Sequence, residues 1–251
     1  MRPIHRPNLP DPGRIIAHRG ASQVAPENTL KAFRSADQQG AYWLEFDVSL
    51  LGDGTAVIHH DDTLDRCTNA TGPLSGIAAA DLSDIEAGEG EPLPTLSAAL
   101  DLIKELGFFA NLEMKPHALD PGILSGVVAK ELRLRPWATE RIIVSSFKQA
   151  ELTAFRAACP DQPIAVLWQQ PDPDWPLVLD RLNAAAIHVA VPHLSQTILR
   201  QAKVRGVDVR VYTANDPKLM APFRDLGLTS IITDHPPLYL EDEIWATWAK
   251  S

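Results

Sequence analysis

The sequence predicts a TIM-type (β/α)₈ barrel, an α/β fold in which eight parallel strands are each followed by a helix. Short apolar runs rich in β-branched residues alternate with amphipathic stretches along all 251 residues, as in repeated βα units around a parallel sheet. There are eight such runs, and one barrel of this kind uses about 250 residues. An open doubly wound sheet is the alternative, but no Gly-x-Gly-x-x-Gly turn follows the first strand to bind a dinucleotide.

The eight predicted strands are short and apolar. They span Ile15–His18, Trp43–Val48, Ala110–Met114, Ile142–Ser146, Ile164–Leu167, Ala186–Val189, Val209–Tyr212 and Ser230–Thr233. Helical patterns lie between most of these strands. In one of them the apolar residues share a single helical stripe, because their spacings are four, three and three: Leu96, Leu100, Ile103 and Leu106.

Two segments interrupt the βα rhythm. After the second strand, Asp53-Gly54 is a strong two-residue hairpin signal between strand-forming residues, which predicts a β-hairpin arm over 49–60. The stretch 61–94 is rich in Gly, Ala, Asp and Ser and has one weak helical pattern near 79–85. We therefore expect a single domain over residues 1–251, with 61–94 as a small insertion over one barrel mouth.

Charge restricts the partners. The chain has 23 Lys and Arg against 32 Asp and Glu, a formal net charge of −9, which disfavours binding to nucleic-acid phosphates and anionic lipid headgroups. An anionic small molecule would therefore need a local positive centre, either basic side chains or a divalent cation.

The cysteines and the two ends of the chain indicate the compartment. Cys67 and Cys159 lie far apart and outside any Cys-x-x-Cys spacing, which predicts neither a disulfide nor a zinc site. The segment Met1–Asp11 lacks an apolar core of signal-peptide length, and no window approaches the roughly 18 apolar residues of a membrane span. Trp245 and Trp248 are three residues apart, which predicts a docked terminal helix. We expect a cytoplasmic protein without stable membrane association.

Titratable side chains lie at the carboxyl ends of the first two predicted strands, which face the ligand-binding mouth of a parallel barrel. His18 and Arg19 end the first strand, just before Gly20. In the second strand, Glu45 and Asp47 are two residues apart and point to the same side of the sheet. Two neighbouring buried anions need a raised pKa or a cation between them, and a divalent metal is the simpler solution. Singly, these residues also fit structural roles, such as a turn or a solvated strand end.

The hairpin arm is predicted to bring one histidine back to these acids. If the turn is centred on Asp53-Gly54, antiparallel pairing puts position 52 opposite 55 and therefore 47 opposite 60. His60 is then expected beside Asp47. The adjacent His59 points to the other face and is the predicted structural histidine.

The third predicted strand ends in a further charged pair. Glu113 and Lys115 share a face by period two, and alone they would fit an ordinary salt-bridged strand end. One mouth is thus predicted to carry seven chemically useful residues: His18, Arg19, Glu45, Asp47, His60, Glu113 and Lys115. This set contains oxygen ligands for Mg²⁺ or Ca²⁺, cations for a phosphate group and two groups that titrate near neutrality.

The chain is similar in motif order and spacing to the glycerophosphodiester phosphodiesterases, and most similar to their short cytoplasmic bacterial members. The matching segments are His18-Arg19-Gly20, Ala25-Pro26-Glu27-Asn28-Thr29, Glu45-x-Asp47-Val48, His60-Asp61, Glu113-x-Lys115 and Ile231-Ile232-Thr233-Asp234. Two further stretches extend the match, Asn111–Pro116 and Val211–Asn215.

This resemblance implies a TIM barrel of the phospholipase C-like phosphodiesterase type with a small insertion. It implies hydrolysis of glycerophosphodiesters, such as glycerophosphocholine or glycerophosphoethanolamine, to glycerol 3-phosphate and an alcohol, with the glycerol 2-hydroxyl as a candidate nucleophile. The implied ligands of one divalent cation, Mg²⁺ or Ca²⁺, are Glu45, Asp47 and Glu113. The implied phosphate-binding residues are Arg19 and Lys115, and the implied acid and base are His18 and His60.

The chain departs from the family pattern in three places. Ala87–Glu91 replaces an aromatic-containing stretch found in many relatives, Tyr212 stands where many carry Trp, and Ser230 stands where Gly is common. Phe147, Trp168 and Tyr212 are candidates for the pocket wall, although such aromatic residues more often belong to the core.

Two other functions are open at this point. A lipid-acting phospholipase C or D of the same barrel superfamily would require an exposed apolar or basic membrane face. A non-catalytic barrel that binds phosphodiesters would have lost a titrating or metal-binding group, whereas all seven positions are filled. We therefore expect a hydrolase with a small-molecule substrate.

Overall fold

The computed structural model describes residues 14–249, so the prediction made for Met1–Asp11 lies outside the described residues. The strands are β1 (Ile15–His18), β2 (Trp43–Leu50), β3 (Ala56–Ile58), β4 (Phe109–Met114), β5 (Ile142–Ser146), β6 (Ile164–Trp168), β7 (Ala186–Ala190), β8 (Asp208–Tyr212) and β9 (Ser230–Thr233). The α-helices are α1 (Leu30–Gln38), α2 (Leu96–Leu106), α3 (Ile123–Arg133), α4 (Ala138–Arg141), α5 (Gln149–Ala158), α6 (Trp175–Leu182), α7 (Gln196–Arg205), α8 (Pro217–Met220), α9 (Pro237–Leu240) and α10 (Glu243–Ala249).

Eight of the strands close into a parallel barrel, and β3 pairs antiparallel with β2 outside it. The order around the barrel is β1, β2, β4, β5, β6, β7, β8 and β9, and β9 pairs with β1. Followed once around, the strand register returns to β1 displaced by eight residues, which is the shear of a TIM barrel. The predicted barrel is confirmed and the open sheet is excluded.

The helix α2 shows how the predicted amphipathic stripes form. It begins after Thr95, whose hydroxyl accepts a hydrogen bond from the Ala98 N–H and so caps the helix. It ends at Gly107, which has φ 74°, a conformation without a Cβ penalty for glycine. Its stripe, which includes Leu96 and Leu100, is buried in the main core, where each fully buried leucine contributes about 1.5–3 kcal/mol.

The last helix docks through its tryptophans, as predicted. Trp245 and Trp248 are both buried, and their ring centroids lie 5.3 Å apart in a nearly perpendicular arrangement. Trp245 also packs edge-on against Tyr239 at 5.2 Å. This aromatic contact holds α10 against the barrel.

Polar side chains line part of the barrel interior. His188 on β7, Arg210 on β8 and Ser230 on β9 are neighbours in register, and all three are buried. Within residues 14–249, the Arg210 guanidinium has no hydrogen-bond acceptor, and it lies 4.6 Å from the centroid of the Trp43 ring. Burial lowers the pKa of Arg210 to about 10, while Asp208 opposes this shift. A cation at this depth departs from the branched apolar interior usual in TIM barrels.

The hairpin arm is present, but its predicted register is wrong by one residue. Val48 pairs with Ile58, and the His59 N–H donates to the Asp47 carbonyl at 3.1 Å. Position 47 therefore lies opposite 59 rather than 60. The register shifts because the loop has three residues instead of two, with Gly54 at φ 85°, the left-handed conformation that closes such a loop.

The insertion 61–94 packs on the arm around a small apolar cluster. The members of this cluster are Leu51, Val57, Leu64, Leu74, Ile85, Ala87 and Leu93. Two short 3₁₀ helices, Leu74–Gly76 and Ala79–Asp84, belong to the insertion, and the second coincides with the predicted weak helical pattern. Lys31 of α1 forms an ion pair with Glu89 at 2.7 Å, so the insertion also contacts the helix after β1. The single-domain organisation stays a prediction.

Candidate active site

The carboxyl ends of β1, β2 and β4 meet at one mouth of the barrel. His18 pairs in register with Glu45, and Asp47 pairs in register with Glu113. Neighbours in register on parallel strands project to the same side. Lys115 follows β4 directly. The structure thus brings together side chains that the sequence places on three separate strands.

Three carboxylates form a buried acidic cluster at this mouth. Its members are Glu45, Asp47 and Glu113, and one oxygen of each lies within 4.8 Å of the others. Their exposed fractions are only 3%, 1% and 5%. Burial raises the pKa of Glu45 well above its usual range, and the charges of Asp47 and Glu113 add to the shift. Burial also raises the pKa of Glu113 to about 7.

Two cations contact the acidic cluster. Lys115 Nζ lies 2.5 Å from Glu113 Oε1 and 3.3 Å from Asp47 Oδ1, and Arg19 Nε lies 3.1 Å from Asp47 Oδ2. Burial acts to raise the pKa of Asp47, but Lys115 and Arg19 outweigh burial and bring it to about 2. Because three carboxylates face only two cations, a further positive charge bound through oxygen ligands fits this cluster.

A tight turn after β1 places Arg19. Arg19 has φ 55° and Gly20 has φ 81°, a region uncommon for residues other than glycine. A Cβ on Gly20 would lie 2.7 Å from the Ala32 backbone, so only glycine lets α1 approach the turn this closely. The Arg19 N–H donates to Glu45 Oε2 at 3.2 Å. The turn therefore directs both the backbone and the side chain of Arg19 at the acidic cluster.

Asn28 holds Asp47 from the loop before α1. Its Nδ2 donates to Asp47 Oδ2 at 2.9 Å, and its Oδ1 accepts from the Asp47 N–H at 3.2 Å. The cap of α1 is the next residue, Thr29, whose hydroxyl accepts from the Ala32 N–H. Asn28 therefore orients a member of the acidic cluster, a role that local helix signals do not reveal.

His18 is held by a carboxylate that follows the last strand. Its Nδ1 lies 2.6 Å from Asp234 Oδ1, and the proton is assigned to Nδ1 because a carboxylate only accepts. Asn215 and Ser22 also donate to Asp234. Burial acts to raise the pKa of Asp234, but these hydrogen bonds, chiefly the one from His18, bring it to about 2. The other ring nitrogen, His18 Nε2, lies 3.8 Å from Glu45 Oε2.

His60 has a matching arrangement at the end of the arm. Its Nδ1 lies 2.6 Å from Asp61 Oδ1, which leaves Nε2 available. Burial lowers the pKa of His60; the Asp47 charge opposes this shift, and Lys115 and Arg19 add to it. His60 therefore lies within electrostatic reach of both the acidic cluster and its cations.

The neighbouring His59 is built into the arm. It is buried, and its Nε2 donates to the Thr63 carbonyl at 2.8 Å. Its own carbonyl accepts from the Ser49 hydroxyl at 2.8 Å. Strand pairing ends at Ile58, so the chain is free to turn before residue 60. This is why the arm delivers His60 to the mouth although its register differs from the predicted one.

An aromatic wall, formed by Phe147, Trp168 and Tyr212, adjoins the cluster. The Phe147 ring lies 5.5 Å from Lys115 Nζ and packs edge-on against Tyr212 at 6.0 Å. The Tyr212 hydroxyl donates to the Trp168 carbonyl at 2.9 Å. Phe147 is 39% exposed, whereas Trp168 is only 9% exposed. Their role in lining the pocket stays a prediction.

A ring of polar residues around the predicted set was not assigned a role from the sequence. Its members are Glu27, Asn28, Asp61, Arg66, Asn215 and Asp234. Five of them lie in segments that match the family motifs, which is the signal that could have found them. Arg66 lies outside those segments.

Comparison with known proteins decides the family. The sequence model described as the glycerophosphoryl diester phosphodiesterase family matches residues 18–238. The chain belongs to this family. This protein is accordingly an enzyme, a phosphoric diester hydrolase with glycerophosphodiester phosphodiesterase activity, as the motif resemblance predicted.

Known relatives match this chain over nearly their whole length. A glycerophosphodiester phosphodiesterase of Caldanaerobacter subterraneus is 33% identical over 236 residues, which cover 88% of this chain and 94% of the relative. One of Bacillus subtilis is 27% identical, with 92% and 87% covered. The solved structure of an Oleispira antarctica phosphodiesterase, in complex with the product sn-glycerol-3-phosphate, has a TM-score of 0.84 and 29% identity and covers 95% of this chain and 97% of its own.

Among residues 14–249, no helix combines the length and the apolar character that crossing a bilayer requires.

Proposed function

We propose that this enzyme hydrolyses glycerophosphodiesters such as glycerophosphocholine or glycerophosphoethanolamine to glycerol 3-phosphate and an alcohol, in a metal-dependent reaction with two histidines as acid and base. The observation that carries the proposal is one buried acidic cluster flanked by two histidines, each bound to a carboxylate through Nδ1. The Oleispira antarctica relative carries sn-glycerol-3-phosphate as product, which supports a glycerophosphodiester as the substrate here.

Glu45, Asp47 and Glu113 would hold one Mg²⁺ or Ca²⁺. Their ligand atoms are all oxygens within 4.8 Å of one another, and both ions prefer carboxylate oxygens. When bound, the ion would neutralise charge on the non-bridging phosphate oxygens and polarise the phosphorus centre. The burial and repulsion that raise the pKa of Glu45 are the conditions that a bound cation relieves.

Arg19 and Lys115 would hold the phosphate oxygens. Their side chains are only 16% and 14% exposed, and both are fixed by Asp47, so they are oriented before substrate binds. A phosphodiester monoanion over the cluster would therefore meet two positive groups that need no reorganisation. One such preorganised donor is typically worth about 3 kcal/mol in the transition state.

The two histidines would divide the proton transfers. Because Nδ1 of each ring is occupied by a carboxylate, Nε2 is the atom that faces the reaction. One ring takes the proton of the attacking hydroxyl, and the other gives a proton to the oxygen of the departing alcohol. Burial lowers the pKa of His60, which keeps its ring neutral near pH 7 and able to accept a proton. Each transfer commonly contributes about 10²- to 10⁴-fold.

A phosphorus NMR time course on a panel of glycerophosphodiesters, with and without Mg²⁺ or Ca²⁺, tests the proposal. We expect conversion to glycerol 3-phosphate only when a divalent cation is added, and a transient cyclic phosphate would identify the glycerol 2-hydroxyl as nucleophile. Glu113→Gln is the matched test variant, because it removes one charge of the cluster at nearly constant size, and it should weaken the response to the added cation. Hydrolysis of phospholipid vesicles without hydrolysis of glycerophosphodiesters would favour the lipid-acting alternative instead.

A further inference from the structure

Arg66, an arginine of the insertion, joins two carboxylates of the polar ring around the site. Arg66 Nε donates to Asp61 Oδ2 at 2.6 Å. Its two terminal nitrogens donate to the two oxygens of Glu27, Nη1 to Oε2 at 2.8 Å and Nη2 to Oε1 at 2.9 Å. A single planar guanidinium therefore binds two carboxylates, one of them in the bidentate geometry that only arginine provides.

Each of these carboxylates also binds a residue of the proposed catalytic set. Asp61 uses its other oxygen to hold Nδ1 of His60 at 2.6 Å. Glu27 accepts from Nη1 of Arg19 at 2.6 Å, and Arg19 in turn contacts Asp47. The contacts form one continuous chain from the histidine to the phosphate-binding arginine, and Arg66 is its central link.

The two carboxylates come from segments that share no strand pairing. Glu27 lies in the loop between β1 and α1, and Asp61 follows the arm at the start of the insertion. Burial acts to raise the pKa of Glu27, but the hydrogen bond from Arg66 and the charge of Arg19 bring it to about 2. Burial acts to raise the pKa of Asp61 as well, but the hydrogen bonds from Arg66 and His60 bring it below its usual range. Both acids are thus held as anions, and without a cation between them they would repel each other.

The insertion does not depend on Arg66 for its packing. Its apolar cluster, which includes Leu64 and Leu74, lies on the arm, and the Leu64 N–H donates to the Gly72 carbonyl at 2.9 Å. The Arg66 side chain is 48% exposed, and exposed ion pairs typically contribute only about 0–1 kcal/mol to folding. Arg66 thus makes three well-formed hydrogen bonds that contribute little to folding stability. This combination points to a role in the site.

We propose that Arg66 is a positioning residue for phosphodiester hydrolysis. By binding Glu27 and Asp61 at the same time, it fixes the orientation of His60 and Arg19 relative to each other. This inference rests on the proposed function of His60 and Arg19. Arg66 itself contacts neither residue in the described structure and acts through the two carboxylates.

Steady-state kinetics on glycerophosphocholine with Arg66→Met, Arg66→Lys and a control variant test this proposal. Loss of a residue that orients the groups in direct contact with a ligand typically costs about 10- to 100-fold in activity. We therefore expect Arg66→Met to lose that much in kcat while KM changes little. Arg66→Lys keeps the charge but not the planar guanidinium that binds two carboxylates, so it should recover only a small part of the loss. Arg34→Met is the matched control, since Arg34 is 52% exposed and pairs with Glu105 on the surface at 3.2 Å.

Coupling to Asp61 separates a positioning role from a structural one. If Arg66 acts through Asp61, the double variant Arg66→Met, Asp61→Asn should lose no more kcat than the worse single variant, because both changes break one chain of contacts. Additive losses would overturn the proposal, as would a wild-type kcat in Arg66→Met or an equal loss in Arg34→Met. Thermal unfolding of each variant accompanies the kinetics; should Arg66→Met unfold, Arg66→Lys carries the same test.

The proposed function and the proposal for Arg66 fail in different ways. Wild-type kcat in His60→Ala would remove His60 from the mechanism, whatever the Arg66 variants do. A large loss in His60→Ala together with a wild-type kcat in Arg66→Met would leave the mechanism in place and overturn the role of Arg66 alone.

Discussion

The two sides of the barrel mouth differ sharply in chemistry. The side formed by β1, β2 and β4 carries the acidic cluster, its two cations and His18, and we refer to it as the charged side. The other side carries the aromatic wall at the ends of β5, β6 and β8. Charge is thus concentrated where a phosphorus centre would bind, while apolar rings border the space beside it.

The two sides also differ in how firmly their side chains are held. On the charged side Asp47, for example, contacts Arg19, Lys115 and Asn28. On the aromatic wall, Phe147 is 39% exposed, and its ring contacts Tyr212 edge-on and lies 5.5 Å from Lys115 Nζ. On the proposed function, we expect the charged side to be preorganised for chemistry and the aromatic wall to make adjustable contact with an alcohol headgroup.

Metal removal should have the largest effect, because it acts on the centre of the charged side. Exhaustive chelation is expected to abolish turnover of glycerophosphocholine, and Mg²⁺ or Ca²⁺ should restore it, since one bound cation supplies several kcal/mol of charge stabilisation, roughly 10³-fold or more in rate. Activity is measured by release of glycerol 3-phosphate, with the melting temperature as a check on folding. Full activity in metal-free enzyme would contradict the assignment of Glu45, Asp47 and Glu113 as ligands.

Replacement of either histidine should have the next largest effect. His18→Ala and His60→Ala are each expected to lower kcat on glycerophosphocholine by at least about 100-fold, because each removes one proton transfer. The exposed His193→Ala is the control, as it lies on a 3₁₀ helix after β7 and should leave kcat unchanged. A near-wild-type rate in either catalytic variant would remove that histidine from the mechanism.

The free energy of unfolding should depend on pH in opposite directions at Asp234, which lies at the barrel mouth, and at Asp208, which begins β8 at the other end of the barrel. Hydrogen bonds outweigh burial at Asp234 and bring its pKa to about 2, below that of the unfolded chain. Its contribution, about 2 kcal/mol, is therefore present above about pH 4 and is lost as pH falls toward 2. Burial raises the pKa of Asp208, against the charges of Arg210 and Arg14, so its contribution is present at low pH and is lost as pH rises through the raised pKa.

Urea unfolding of Asp234→Asn and Asp208→Asn at pH 7 and about pH 3.5 measures this contrast. Relative to wild type, Asp234→Asn should be more destabilised at pH 7 than at the lower pH, and Asp208→Asn should show the opposite trend. The same trend in both variants would contradict the assigned directions.

Changes in the aromatic wall should have the smallest effect. Phe147→Ala is expected to raise KM for glycerophosphocholine a fewfold with kcat nearly unchanged, because an exposed cation–π or ring contact is worth about 0.5–1 kcal/mol. Tyr212→Phe keeps the ring and removes only the hydrogen bond to the Trp168 carbonyl, so it serves as the control. A kcat loss in Phe147→Ala comparable to that of the histidine variants would show that Phe147 supports Lys115 rather than substrate.

The charged side was predictable because its signals are local. Period two places Glu45 and Asp47 on one face, and the same rule places Glu113 with Lys115. The carboxyl ends of neighbouring parallel strands meet by construction. The hairpin register was not predictable to the residue, because Asp-Gly is compatible with loops of two or three residues, and Gly54 needs a positive φ in both of them.

The sequence by itself determined the barrel, the family and the residues of the charged side, since strand and helix periodicity and motif order are properties of short segments. Only the tertiary structure decided what orients those residues. Asp234 reaches His18 across a separation of 216 positions, and Arg66 of the insertion reaches Glu27 in the loop before α1 across a separation of 39 positions. Such contacts exist only once β9 closes on β1 and the insertion docks on the arm, and no short-range pattern of residues encodes these two events.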